Sequence, residues 1–338
     1  KWERTKTTDF GIETGFFKNT LTFNATYFYR KTMDILYKPA ASYSAIFGLA
    51  VSQVNTGELE NKGWEFEIGY QNHYKKLQYH VNGNLSIIKN KVLTLGMGNV
   101  QQTNGMVGNG SDLFIGYPMD MFYGYNGVFL NDNEVASWYD QTAIAKGSRA
   151  GDLRFVDVTG DNKVTNADKV YLGSRIPKYT FGLNLGLAYS GIDFSMLIQG
   201  VAGVKGLLTS YAGLAFNQEG NIQRWQMKEN WNVQQDNRYP GYPRLEVTSG
   251  SGSPNTQLSD FWVLNASFVK VRNIQVGYTI PQNQTKKWGV SNARVYLSLD
   301  NPISIDHYKK GWDPENTKNN GTYYPVMSTY TLGLTLSF

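Results

Sequence analysis

The chain ends in YTLGLTLSF, Tyr330 to Phe338, and every second side chain of that stretch is apolar. In an extended chain, successive side chains point to opposite faces. Tyr330, Leu332, Leu334, Leu336 and Phe338 therefore share one face, and Thr331, Gly333, Thr335 and Ser337 share the other. Strict alternation of this kind predicts a strand between an apolar and a polar environment.

The same period recurs upstream. It runs through residues 10–16, 21–30, 64–71, 79–87, 181–190, 192–199, 274–280 and 294–300, so the terminal stretch is the ninth strand. Most approach the ~9–11 residues that a tilted strand needs to cross a bilayer. Taken alone, one such strand equally fits a soluble protein with one face on a core. The connections decide between the two. Short links fall near 17–20, 72–77, 190–191 and 281–291, and long ones near 38–60, 90–177, 204–261 and 304–325. Strict alternation of short and long links places every long loop at one end, the arrangement of an outer-membrane barrel with short periplasmic turns and long external loops. An odd number of strands cannot close an antiparallel barrel, and hydrocarbon does not tolerate unpaired edges. The expectation is an all-β, transmembrane, antiparallel up-and-down barrel of which residues 1–338 are the C-terminal part, with an odd number of strands upstream.

Composition agrees. Charged residues make up 17% and aromatics 14%, with 23 tyrosines and 35 glycines, against a usual charged share of about 25%. No apolar run is long enough for a membrane-crossing helix. The net charge of +5 is mild and scattered, which argues against a nucleic-acid partner. Without cysteine, a disulfide scaffold is excluded. The opening KWERTKTTDF lacks the apolar centre of a signal peptide, so the expectation is a removed signal or an internal start. Tyr27, Tyr29, Tyr323 and Tyr324 are expected in interfacial girdles.

Several stretches, in this order, carry a resemblance. They are TTDFGIETGFFKNTLTFNATYFYRKTMDIL (7–36), VNTGELENKGWEFEIGY (54–70), YPMDMFYGYNGVF (117–129), GDLRFVDVTGDNKVTNADKVYLG (151–173), SFVKVRNIQVGYTIP (267–281), ARVYLSLDNPISI (293–305) and GWDPE (311–315), with the closing YTLGLTLSF. Together they resemble the C-terminal part of SusC/RagA-type TonB-dependent outer-membrane transporters. The resemblance implies a barrel of about 22 strands, a size class whose lumen is plugged. It also implies an N-terminal plug and a TonB-contacting segment, both outside this sequence. A SusD-like surface lipoprotein would act as lid, and pairing of two transporter–lipoprotein complexes stays open. The setting would be the outer membrane of a Gram-negative, Bacteroidetes-like bacterium, in contact with its lipid. The function implied is TonB-dependent import of oligosaccharides or oligopeptides. A barrel kept for structure or adhesion without transport is the alternative, and a secreted soluble β protein is a third reading. Phe338 resembles the terminal signal read by the barrel-assembly machinery.

One motif has ligand chemistry. DVTGDNKVTNAD (157–168) has the spacing of an EF-hand-like calcium loop, in which oxygens at positions 1, 3, 5, 7, 9 and 12 surround the ion. Those positions are Asp157, Thr159, Asp161, the Lys163 carbonyl, Thr165 and Asp168. It departs from the pattern in Thr159, in Asn162 for the usual Gly, and in Asp168 for the usual Glu. A polar turn built for backbone reasons is the competing reading.

No other chemistry is expected. His73, His80 and His307 lack the neighbours of a triad or zinc site, and no enzyme is predicted. External loops carry Trp225, Trp231, Tyr239, Tyr242, Trp262, Trp312, Tyr323 and Tyr324, rings that suit sugars, peptides or packing. Asp193, Gln199, Arg294 and Asp300 are placed by parity toward the lumen. The substrate is unassigned.

Overall fold

Nine strands form one antiparallel sheet, each hydrogen-bonded to the next in sequence. They are β1 (Arg4–Phe16), β2 (Leu21–Tyr37), β3 (Val54–Tyr74), β4 (Leu77–Thr94), β5 (Tyr179–Tyr189), β6 (Ile192–Ala202), β7 (Phe268–Thr279), β8 (Asn292–Asp306) and β9 (Thr329–Ser337). The computed structural model describes residues 2–38, 52–96, 99–129, 131, 133–234, 238–247, 252–309, 311–317 and 322–338. The two edges, β1 and β9, are not paired with each other, so the sheet is an open wall.

The register turns the sequence alternation into two faces. Phe16, Leu21, Tyr70, Val81, Leu185, Met196, Ile274, Leu299 and Tyr330 are successive cross-strand partners, one from each strand. The adjacent row is Gly15, Thr22, Gly69, Asn82, Asn184, Leu197, Asn273, Asp300 and Thr329. One row is apolar throughout and its neighbour is small or polar except at Leu197. Among the described residues nothing covers the apolar face at its C-terminal strand. Leu332 is 76% exposed and Leu334 62%. Apolar surface that extends over nine strands far exceeds the few hundred Å² tolerated in water. Hydrocarbon is the solvent that fits it.

Local chemistry sets the short turns. Ser190 and Gly191 both have positive φ, 49° and 89°, the signature of the two-residue hairpin turn that matches strand twist. Lys75 (φ 55°) begins the β3–β4 turn. The β7–β8 link is more than a turn, with a short helix at Gln282–Thr285 and a 3-10 turn at Lys286–Trp288.

The strands outrun the sequence expectation at the long-loop end. β3 starts at Val54 rather than Trp64, and β2 continues to Tyr37. The alternation fades there because Lys31, Glu58, Glu60 and Lys62 replace apolar residues, yet the backbone ladder persists. Hydropathy reports where the apolar solvent stops, and hydrogen bonding continues past it.

The packed core lies in the loops. One cluster joins Leu208, Ala212, Ala215, Tyr242 and Trp262, and another Tyr125, Leu153, Phe155 and Val164. Smaller ones join Met106, Phe114, Met121 and Tyr123, and Val204, Ala266 and Tyr308. The loops after β4, β6 and β8 therefore form a folded cap at one end of the wall.

Candidate lumen wall and loop anchors

The polar face of the sheet carries a ladder of cross-strand side-chain bonds. Asn24 donates to Glu67 (3.3 Å), and Asn273 donates to Asp300 (2.7 Å) and Ser298 (2.9 Å). Arg294 on β8 reaches over β7 to Asp193 on β6, with Nε and an Nη at 3.1 and 2.5 Å from its carboxylate. The strand beneath is glycine at that point. A Cβ on Gly277 would lie 2.4 Å from the Arg294 guanidinium and 2.5 Å from Asp193 Oδ2. Gly333 on β9 plays a similar part, since the Tyr296 ring lies over it. All four residues assigned to the lumen by parity, Asp193, Gln199, Arg294 and Asp300, bond across this face.

Two cations that sequence reading passed over anchor a loop to the wall. Lys270, 4% exposed, donates to Asp313 Oδ1 and Glu315 Oε2, both at 2.8 Å. Arg272 donates to Gln199 Oε1 (2.9 Å) and pairs with Glu315. Arg272 sits where the register slips between Val271 and Asn273, opposite a second irregularity at Asn301 (φ 49°) and Pro302. Such bulges re-aim side chains, and here Arg272 joins Lys270 on one face. The GWDPE stretch is thus a docking segment held by the strands. Burial would raise the Glu315 carboxyl, but Arg272 and Lys270 outweigh it and hold the group below its ordinary range. The only sequence signal for this site was charge at strand positions otherwise occupied by small polar residues.

A second buried hub ties two loops together. Asp152 is fully buried, accepts from Asn255 (2.7 Å), the Arg149 amide (2.8 Å) and an Arg244 Nη (3.3 Å), and is ion-paired with Arg244. Arg244 also meets Glu246 at 2.6 Å. Burial pushes the Asp152 carboxyl above its ordinary range despite those donors. Sequence reading missed this hub because its members are about a hundred residues apart.

In the 157–168 loop the carboxylates point at the loop's own donors. Asp168 is fully buried. Its Oδ1 accepts from the Val158 and Thr159 amides (2.9 and 3.0 Å) and the Thr159 hydroxyl (3.0 Å). Its Oδ2 accepts from the Thr165 amide at 2.7 Å. Asp157 accepts from the Gly160 and Asn162 amides, both at 2.7 Å, and Asp161 from the Lys163 amide at 2.9 Å. Burial alone would raise the Asp168 carboxyl, and the amide and hydroxyl donors hold it below its ordinary range instead. Among the described residues no three His, Asp or Glu side chains converge as a metal-holding group. Asp157, Thr159, Asp161, Lys163, Thr165 and Asp168 thus bond within the loop itself, as a polar turn does.

Most of the loop rings are packing. Trp262 and Tyr242 are buried, with Trp225 and Trp312 packed against buried clusters. Tyr242 accepts from the Ala215 amide (2.8 Å), and burial pushes its hydroxyl up to about 12. Tyr323 does not join a membrane girdle. It packs on Trp312, and its hydroxyl accepts from the Asp313 amide at 2.7 Å. Tyr27 does lie beside Trp64 on the apolar face, centroids 5.2 Å apart. Tyr239 (72%) and Tyr324 (83%) stay open. His73 and His80 line a groove of about 660 Å³ near the short turns with Gln71, Gln78 and Asp193, while His307 lies in the loop after β8.

No family model matches the chain. Over its whole length it is 29% identical to TonB-dependent receptor P3 of Formosa agariphila, covering 34% of that protein. It is 26% identical to TonB-dependent receptor SusC of Bacteroides thetaiotaomicron, covering 32%. The structure of the RagAB peptide transporter superposes on the whole chain with a TM-score of 0.72 at 21% identity, covering 36% of that chain. This chain therefore spans about a third of the length of the proteins it matches.

Proposed function

We infer, from a chain homologous along its whole length to TonB-dependent receptors of the SusC/RagA type, that it forms part of the wall and the external cap of an outer-membrane importer. The cargo class is oligosaccharide or oligopeptide. The observation that carries the reading is the two-faced wall. Nine strands present an unbroken apolar row outward and a bonded polar row inward, with the long loops folded at one end. A polar inner face suits a water-filled or plugged lumen. The open edges at β1 and β9 suit continuation into a closed barrel.

In this reading a plug and a TonB-contacting segment lie in the rest of the protein, and a SusD-like lipoprotein rests on the cap formed by the loops after β4, β6 and β8. Similarity to SusC and to RagAB supports that partner. Lys270 and Arg272 position the cap segment 311–315 over the wall. Cargo meets hydrogen-bonding side chains on the inner face. Phe338 serves as the assembly signal.

The test is uptake. Cells lacking the whole receptor are given labelled oligosaccharides and oligopeptides, with and without TonB. Loss of TonB-dependent uptake of one class, restored by the receptor gene, supports the reading. Normal uptake of both classes with loss of surface adhesion would identify a structural barrel instead.

A further inference from the structure

The outward face changes character abruptly above its aromatic row. Phe10, Tyr27, Trp64, Ile87 and Tyr179 are cross-strand partners in one outward row. The next outward row toward the cap is Thr8, Tyr29, Lys62 and Lys89, and the one after it is Lys6, Lys31, Glu60 and Lys91. Two lysine pairs, Lys6 with Lys31 and Lys62 with Lys89, are direct cross-strand neighbours on the same face. Like charges directly opposite each other destabilise a sheet. Lys31 is relieved by Glu58 (2.8 Å) and Lys62 by Glu60 (2.7 Å). Among the described residues, Lys89, Lys91 and Lys178 make no ion pair. Beside them opens a cleft of about 430 Å³, lined by Lys62, Lys89, Lys91, Lys178 and Asn90, with Glu60 as its carboxylate.

We propose that Lys62, Lys89, Lys91 and Lys178 bind the phosphate group of a lipid headgroup in the outer leaflet. The proposal rests on reading the sheet as an outer-membrane wall. Aromatic residues on such a wall mark the level where hydrocarbon gives way to headgroups. Lys62, Lys89 and Lys91 stand one and two rows beyond that level, on the lipid side, where lipid phosphate lies and where cargo in the lumen does not reach, and Lys178, beside Tyr179, lines the same cleft. A phosphate in the cleft supplies counter-charge to Lys89, Lys91 and Lys178, which Glu60, paired with Lys62, leaves without an ion pair. Lysine suits this role as a compact charge with three donors.

The experiment uses the whole receptor, purified in mild detergent, and a form carrying Lys62→Gln, Lys89→Gln and Lys91→Gln, with the three Lys→Arg changes as the charge-preserving control. Native mass spectrometry reads retention of phosphorylated lipid A against its dephosphorylated form. The receptor and the Arg form are expected to retain the phosphorylated lipid preferentially, with the Gln form weaker by on the order of tenfold or more. Equal retention of the two lipids by the unsubstituted receptor would overturn the proposal, as would retention unchanged in the Gln form. Displacement of the lipid by millimolar inorganic phosphate would also overturn it, in favour of a free-phosphate site. If the Gln form fails to fold, the comparison of the two lipids on the unsubstituted receptor decides. Uptake of cargo is expected to persist in the folded Gln form, so loss of lipid binding and failure of the transport reading are separate results.

Discussion

Gly277 has no side chain, and the Arg294–Asp193 pair passes through the space a Cβ would fill. Gly277→Val is therefore expected to separate the pair and lower stability of the refolded receptor by about 1–3 kcal/mol, read as a shift in its urea midpoint in vesicles. A Val at Gly277 that left the midpoint unchanged would show that the wall yields there. Asp168 makes a second prediction at this scale. Asp168→Ala leaves the part-buried Val158, Thr159 and Thr165 amides without this acceptor, at about 0.5–1.5 kcal/mol for each hydrogen bond lost, and hydrogen exchange at residues 157–168 should rise. Its carboxyl is held low in the folded loop, so the unfolded form binds more protons in the acid range. The stabilisation is complete above the ordinary carboxylate pKa and lost as pH falls through the lowered folded value. If the loop is a polar turn closed by its own bonds, adding calcium to the whole receptor is expected to leave its exchange unchanged. Protection at micromolar calcium would establish the ion-binding reading instead.

At the scale of elements, the link between the loop after β8 and the strands rests on the buried Lys270 ammonium together with Arg272. Lys270→Met leaves Asp313 and Glu315 facing each other without their shared cation. Breaking a buried pair from one side costs about 3–5 kcal/mol. The expected result is faster exchange across residues 311–317, while β7 and β8 stay protected. Converting Asp313 to Asn and Glu315 to Gln in the same chain should recover much of the loss. The folded-state Glu315 carboxyl is also low, so acidification below the usual carboxylate range should loosen this segment in the unsubstituted protein.

For the whole molecule, the two faces predict opposite responses to one substitution. Leu297→Arg on the apolar face is expected to cost up to about 2–4 kcal/mol, depending on its depth in the bilayer. Ser298→Arg, one residue on, enters the polar face and should cost less even though it disturbs the bond from Asn273. Refolding of the whole receptor into lipid vesicles, followed by heat-modifiable mobility, measures both. Equal penalties would contradict the assignment of lipid and lumen. Removal of Phe338 should slow assembly in cells while leaving refolding into vesicles intact.

The sequence by itself determined which residues are strands, which way each side chain faces and at which end the long loops lie. Period two is a local property, legible from Tyr330 to Phe338 without knowledge of any partner. It understated several strands, β1, β4, β7 and β8 among them, and in β2 and β3 the reason is that Lys31, Glu60 and Lys62 took over from apolar residues where the ladder no longer separates oil from water. Tertiary structure alone decided the rest. It placed Trp262 and Tyr242 in a loop core, turned Asp168 onto its own amides, and gave Lys270 its carboxylates from 43 and 45 residues away. A buried charge or ring is settled by whatever the fold brings within a few ångströms, and no repeat along the chain encodes that distance.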